Sequence, residues 1–123
     1  MAEEGQVIGI HNVKEFDEQV RIGKEARKLI VVDFTASWCP PCRFIAPIFA
    51  ELAKKNPHAI FLKVDVDEVQ AIAARFNVDA MPTFAFVRDE VEVSSHRIVG
   101  ADKNGLMDKV IELCGPVPST STA

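Results

Sequence analysis

Two cysteines separated by two residues, Cys39 and Cys42, are the pair in this 123-residue sequence best suited to covalent chemistry. At that spacing both sulfurs fit within one helical turn, so a disulfide between them can form and open without a large backbone movement. The apolar positions Ile45, Ile48, Phe49 and Leu52 recur with helical period, which predicts a helix starting at or just after Cys39. With Cys39 at the N-cap, Pro40 and Pro41 take the first two helical positions, where a missing N–H costs little because it has no intrahelical acceptor. The N–H groups of Cys42 and Arg43 are then left as donors toward the Cys39 sulfur. Those donors, the positive helix end and the Arg43 cation all favour thiolate, so Cys39 is expected to be the nucleophile. Cys42, one turn further in, is expected to be the better protected and to resolve a mixed disulfide.

A zinc half-site is the competing reading of such a pair, and it needs about four ligands, usually from a second CxxC or a histidine pair. Cys114 stands alone, and His11, His58 and His96 have no ligand-like spacing. A purely structural bridge over two residues closes too small a loop to stabilise much. The spacing therefore reads as a redox dithiol. Cys114 shares an apolar helix face with Leu106, Val110 and Leu113, at a C-terminus that disfavours thiolate. It is expected to be an inert core residue, with an exposed bridging thiol as the alternative.

Six further positions bear on this chemistry. Asp33 interrupts an apolar run six residues before Cys39; a carboxyl buried there has a raised pKa and can take a proton from Cys42 during resolution. A hydrogen-bonded structural aspartate is the alternative. Lys63 can modulate Asp33 if their strands are neighbours. Trp38 precedes the nucleophile and reads as a partly exposed contact surface. Met81 and Pro82 open a strand, and local energetics predict a trans bond between them, since cis is only about 5% of X–Pro bonds. Gly100 reads as a turn, or as a place where a partner's backbone comes close.

The elements that must position these residues follow from pattern. Gln6 to Ile10 suits a strand, and Asn12 with Glu15 resembles a capping box for a helix running to about Arg27. Leu29 to Phe34 is a nearly continuous β-branched and aromatic run, fit for a central parallel strand covered on both faces. The cysteine helix runs to about Lys55, with Pro47 in its interior. Ala59 to Val66 is a third strand; Asp67 is placed to cap a helix over Glu68 to Phe76. Thr83 to Arg88 and Val91 to Val99 form an antiparallel pair across a turn at Asp89 and Glu90 that lacks glycine. A last helix, about Lys103 to Cys114, has Asp102 as its cap and Gly115 at its end. Strands alternating with helices and closing on a hairpin predict an α/β fold, a mixed sheet of about five strands flanked by about four helices.

The length suits one domain, residues 1–123, with 116–123 expected to be a flexible small-residue tail. Fourteen basic against 18 acidic residues, net −4, with no basic run, point away from nucleic acid and anionic membranes. The acidic start does not resemble a signal peptide, and apolar runs fall short of the ~18 residues of a membrane span. A cytosolic protein is expected, where a vicinal dithiol is more often catalytic than structural.

The segments Val32 to Cys42 (VDFTASWCPPC), Phe61 to Asp67 (FLKVDVD), Ala80 to Phe84 (AMPTF) and Val99 to Ala101 (VGA), in this order, resemble the thioredoxins, and among them the cytosolic h type of plants. The resemblance spans about Val7 to Leu113. It implies the thioredoxin fold, a cis Met81–Pro82 bond facing the cysteines, a buried Asp33 acting as proton acceptor, and a substrate groove of Trp38, Met81, Pro82 and Gly100. On this basis the cis bond replaces the trans one. Pro40 stands where the family motif usually has glycine, which stiffens the turn and bears on potential and partner choice. The function implied is a protein-disulfide reductase, expected as a monomer, with no bound cofactor beyond the Cys39–Cys42 disulfide. Its electrons would come indirectly from NADPH through thioredoxin reductase and pass to disulfide-containing target proteins. A secretory disulfide oxidase or isomerase, and a redox-insensitive binding or chaperone-like module using the Trp38 surface, are the rival readings.

Overall fold

A computed structural model describes residues 5–115. The tail expected at 116–123 lies outside the described residues, as do residues 1–4. In chain order the elements are β1 (Val7–Ile10), α1 (Val13–Ala26), β2 (Ile30–Thr35), α2 (Pro40–Lys55), β3 (Ile60–Asp65), α3 (Gln70–Arg75), β4 (Thr83–Arg88), β5 (Val91–Glu92), a 3₁₀ turn (Ser94–His96), β6 (Ile98–Val99) and α4 (Lys103–Cys114). The sheet runs β1-β3-β2-β4-β5, with β6 also on β4. β1 and β2 are parallel to β3, and β4 is antiparallel to β2, β5 and β6.

The expected α/β architecture with a mixed sheet is present. β2 has all six residues buried, as an apolar run at the centre of a sheet requires. Its side chains alternate between two cores. Ile30, Val32 and Phe34 join Phe16 and Ile72 on the face covered by α1 and α3, while Val31 joins Phe49, Phe84 and Leu106 on the face covered by α2 and α4. Phe49 stacks against Phe61 and Phe84 at 5.4 and 5.7 Å, fixing α2 to the sheet; Phe76 meets Phe16 and Phe34 at 5.7 and 5.3 Å on the other face. Gly23 lets α1 approach β2 closely: a Cβ there would come within 2.7 Å of Ile30 Cδ1.

The Asn12 cap forms, its side chain accepting from Glu15 N at 2.9 Å, while the Glu15 carboxylate accepts from His11 N and from the Asn12 side-chain amide, not from the Asn12 backbone N–H that a capping box would use. Asp102 likewise accepts from Gly105 N at 2.9 Å. Two expectations need correction. Asp67 does not cap α3, whose N-cap is Val69 without a side-chain bond; Asp65 accepts from Asp67 N and Glu68 N and turns the chain first. Val91 to Val99 is not one strand, because the 3₁₀ turn lifts Ser94–His96 off the sheet before Ile98 and Val99 rejoin β4. The glycine-free turn closes with Asp89 and Glu90 both left-handed, at φ 54° and 67°.

Candidate redox site

The chain leaves β2 at Thr35, turns through Ala36–Trp38 and enters α2 with Cys39 as N-cap in extended backbone (φ −105°, ψ 104°). Pro40 and Pro41 occupy the first two helical positions, as the sequence predicts. Cys39 and Cys42 form a disulfide, with Cα atoms 5.2 Å apart. Cys42 N donates to Cys39 Sγ at 3.2 Å, so the cap side chain of this helix is the sulfur itself. That donor and the helix end favour negative charge on Cys39 when the bond opens.

Three details differ from expectation. Arg43 N donates to the Cys39 carbonyl at 3.2 Å as the first helical bond, leaving Cys42 N as the donor to the sulfur. The Arg43 guanidinium donates to Ser37 O at 3.0 Å, which braces the turn. Burial does not separate the cysteines, each being 3% exposed; the asymmetry lies in hydrogen bonding and helix position.

Around the pair, Trp38 is 62% exposed and its indole N–H donates to Asp67 Oδ2 at 3.0 Å. This bond takes the carboxylate that sequence reading assigned to a cap. The Met81–Pro82 bond is cis, against the local preference and in line with the family resemblance. Met81 O lies 3.6 Å from Cys39 Sγ, and Met81 packs on the Ala36–Cys39–Cys42 cluster. Gly100 N donates to Pro82 O at 2.7 Å; Gly100 has φ +98°, so conformation, not crowding, calls for glycine there. The structure thus brings Trp38, Met81, Pro82 and Gly100 to the end of the sheet where Cys39 sits.

Asp33 is 2% exposed, with Oδ1 lacking any hydrogen-bond partner, so the structural alternative of a hydrogen-bonded aspartate is not supported at that atom. Burial pushes its carboxyl up to about 7, with Lys63 pulling the other way. β2 and β3 are neighbours and put Asp33 and Lys63 in register, which meets the condition set for modulation. A recess of about 270 Å³ is lined by Thr35, Cys42, Arg43, Lys63 and Asp65, among others. Asp65 was not singled out from sequence, since an aspartate ending a strand carries no signal of its own. Cys114 is half-buried against the α2/α4 core and burial raises its pKa, as an inert thiol requires. Among the described residues no group of three or more His, Cys, Asp or Glu is placed to hold a metal ion, and no helix is long and apolar enough to cross a membrane.

Comparison with known proteins gives a consistent result. The family model described as Thioredoxin matches residues 7–112. The chain is 54% identical over 120 residues to Thioredoxin H-type 1 of Nicotiana tabacum, covering 98% of this chain and 94% of that one. It is 52% identical over 122 residues to a Thioredoxin H-type of Oryza sativa subsp. indica, covering 99% and 98%. Its fold superposes on the crystal structure of a thioredoxin from Nicotiana alata with a TM-score of 0.82 at 38% identity, over 91% of this chain and 96% of that one.

Proposed function

Because this chain belongs to the thioredoxin family, and is a protein-disulfide reductase working through a redox-active Cys39–Cys42 disulfide, we propose the following division of labour within its reaction. The Cys39 thiolate attacks one sulfur of a substrate disulfide; that S–S bond breaks, the other substrate sulfur leaves as thiolate, and a mixed disulfide forms. Asp33 takes the proton of Cys42, whose thiolate attacks Cys39 Sγ. The second substrate sulfur is released, and the Cys39–Cys42 disulfide holds the two electrons' worth of oxidation. Trp38, Met81, Pro82 and Gly100 line the groove for the substrate backbone, Lys63 tunes Asp33, and Pro40, Pro41 and Arg43 stiffen the turn.

The observation that carries this reading is the 3.2 Å bond from Cys42 N to Cys39 Sγ at a helix N-cap, which marks Cys39 as the sulfur whose anion the fold favours. By resemblance, electrons arrive from NADPH through a thioredoxin reductase, and the protein works as a cytosolic monomer of one domain on disulfide-containing proteins, without nucleic-acid or membrane partners. Insulin reduction driven by NADPH and thioredoxin reductase tests the assignment. Cys39→Ser should lose turnover. Cys42→Ser should instead accumulate mixed disulfides through Cys39, visible by mass spectrometry. Trapping by Cys39→Ser in place of Cys42→Ser would reverse the roles.

A further inference from the structure

One side chain outside the redox turn ties down the loop that faces it. Arg97 Nε donates to Glu92 Oε2 and Nη2 donates to Glu92 Oε1, both at 2.7 Å, a two-pronged pair. The same Nη2 donates to Phe76 O at 2.6 Å, the carbonyl just past α3 from which the chain runs to Met81 and Pro82. Exposed ion pairs are worth little, but these side chains are only 21% and 19% exposed and the geometry is a fork.

Three residues beyond Arg97, Gly100 N holds Pro82 O at 2.7 Å. The segment 97–100 therefore clasps the segment 76–82 at both ends. Within that span Ala80 O accepts from Thr83 Oγ1, at the start of β4, at 2.6 Å, and Met81 O is the carbonyl that faces Cys39 Sγ. The 3₁₀ turn between β5 and β6 interrupts the pairing to β4, and the Glu92–Arg97 pair bridges that interruption just before Ile98 and Val99 rejoin β4.

We propose that Arg97, held by Glu92, is a positioning residue for protein substrates: it sets the Met81–Pro82 wall against Cys39 and takes no part in electron transfer. The proposal rests on the reading of Trp38, Met81, Pro82 and Gly100 as the substrate groove. A protein disulfide must lay its backbone along that wall, whereas a small disulfide needs only the sulfur.

The test measures kcat and KM for insulin, and the rate with a small aromatic disulfide, for Arg97→Leu, Arg97→Lys and Glu92→Gln, with Trp38→Ala as reference. For Arg97→Leu, KM for insulin should rise about fivefold to tenfold, the size of one lost hydrogen bond, while kcat and the small-disulfide rate stay within about twofold. Arg97→Lys should recover part of the loss, because one ammonium can still reach Glu92 or the Phe76 carbonyl. Glu92→Gln, which keeps the packing, should raise KM about twofold to threefold and serves if Arg97→Leu does not fold. An unchanged KM in the folded variants overturns the clasp, as does an equal loss with both substrates. If Trp38→Ala raises KM and the clasp variants do not, the clasp fails and the groove stands; if none does, the groove reading falls as well.

Discussion

At Asp33 the fold keeps a carboxyl dry and without a partner on one oxygen, and desolvation raises its pKa from 3.8 to about 7. The sign of the consequence is fixed. The folded state binds this proton more tightly than the unfolded one, so the residue's favourable contribution is complete below pH 3.8 and is lost as pH rises to about 7. Asp33→Asn should therefore stabilise the oxidised protein at pH 8 by on the order of 3–4 kcal/mol and by little at pH 4, read from guanidinium unfolding at both. A gain of equal size at the two pH values would mean that packing, not charge burial, is responsible. The same substitution should slow decay of the mixed disulfide at pH 7 by about 10² or more if Asp33 is the base. The burial was legible from sequence, since Asp33 stands in an apolar run; its unpaired oxygen was not, because strand pattern says nothing of what sits above a side chain.

Local elements were legible wherever the deciding interaction is local. The Asn12 and Asp102 caps each bond a backbone N–H three residues on, and their spacing is visible in the chain. Asp67 has the same look, yet its carboxylate serves Trp38, 29 residues away, so a tertiary bond displaced a local one. The cis Met81–Pro82 bond is similar: local energetics favour trans, and only the family resemblance pointed the other way. The hairpin turn shows the reverse. Asp89 and Glu90 close it from the left-handed region, where a residue with a Cβ costs about 1–2 kcal/mol. Glu90 also pairs with Lys24 at 2.6 Å, an exposed contact worth at most about 1 kcal/mol. Relief of strain should win narrowly, so Glu90→Gly is expected to raise stability by about 0.5 kcal/mol in urea unfolding. A fall in the midpoint would show that the Lys24 pair outweighs the backbone cost.

Across the whole molecule the redox turn hangs from the end of β2, the strand with two cores behind it, so the cysteines inherit the rigidity of the most buried element. That placement could be read from sequence because a run such as Ile30–Phe34 fits only the middle of a two-sided sheet. Which aromatic rings lie on which face could be read only in part, since period two assigns a strand residue to a side without telling which helix covers it. The two cores share the sheet but no buried side chain. Phe16 belongs to one, against Phe76; Phe49 belongs to the other, against Phe61 and Phe84. Phe16→Leu and Phe49→Leu should each cost about 1–2 kcal/mol. Because their partners lie on opposite faces, the double variant should match the sum within about 0.5 kcal/mol in chemical denaturation. A coupling above about 1 kcal/mol would mean that β2 yields and passes strain from one face to the other, and a strand that yields cannot hold the cysteine turn as rigidly as its burial requires.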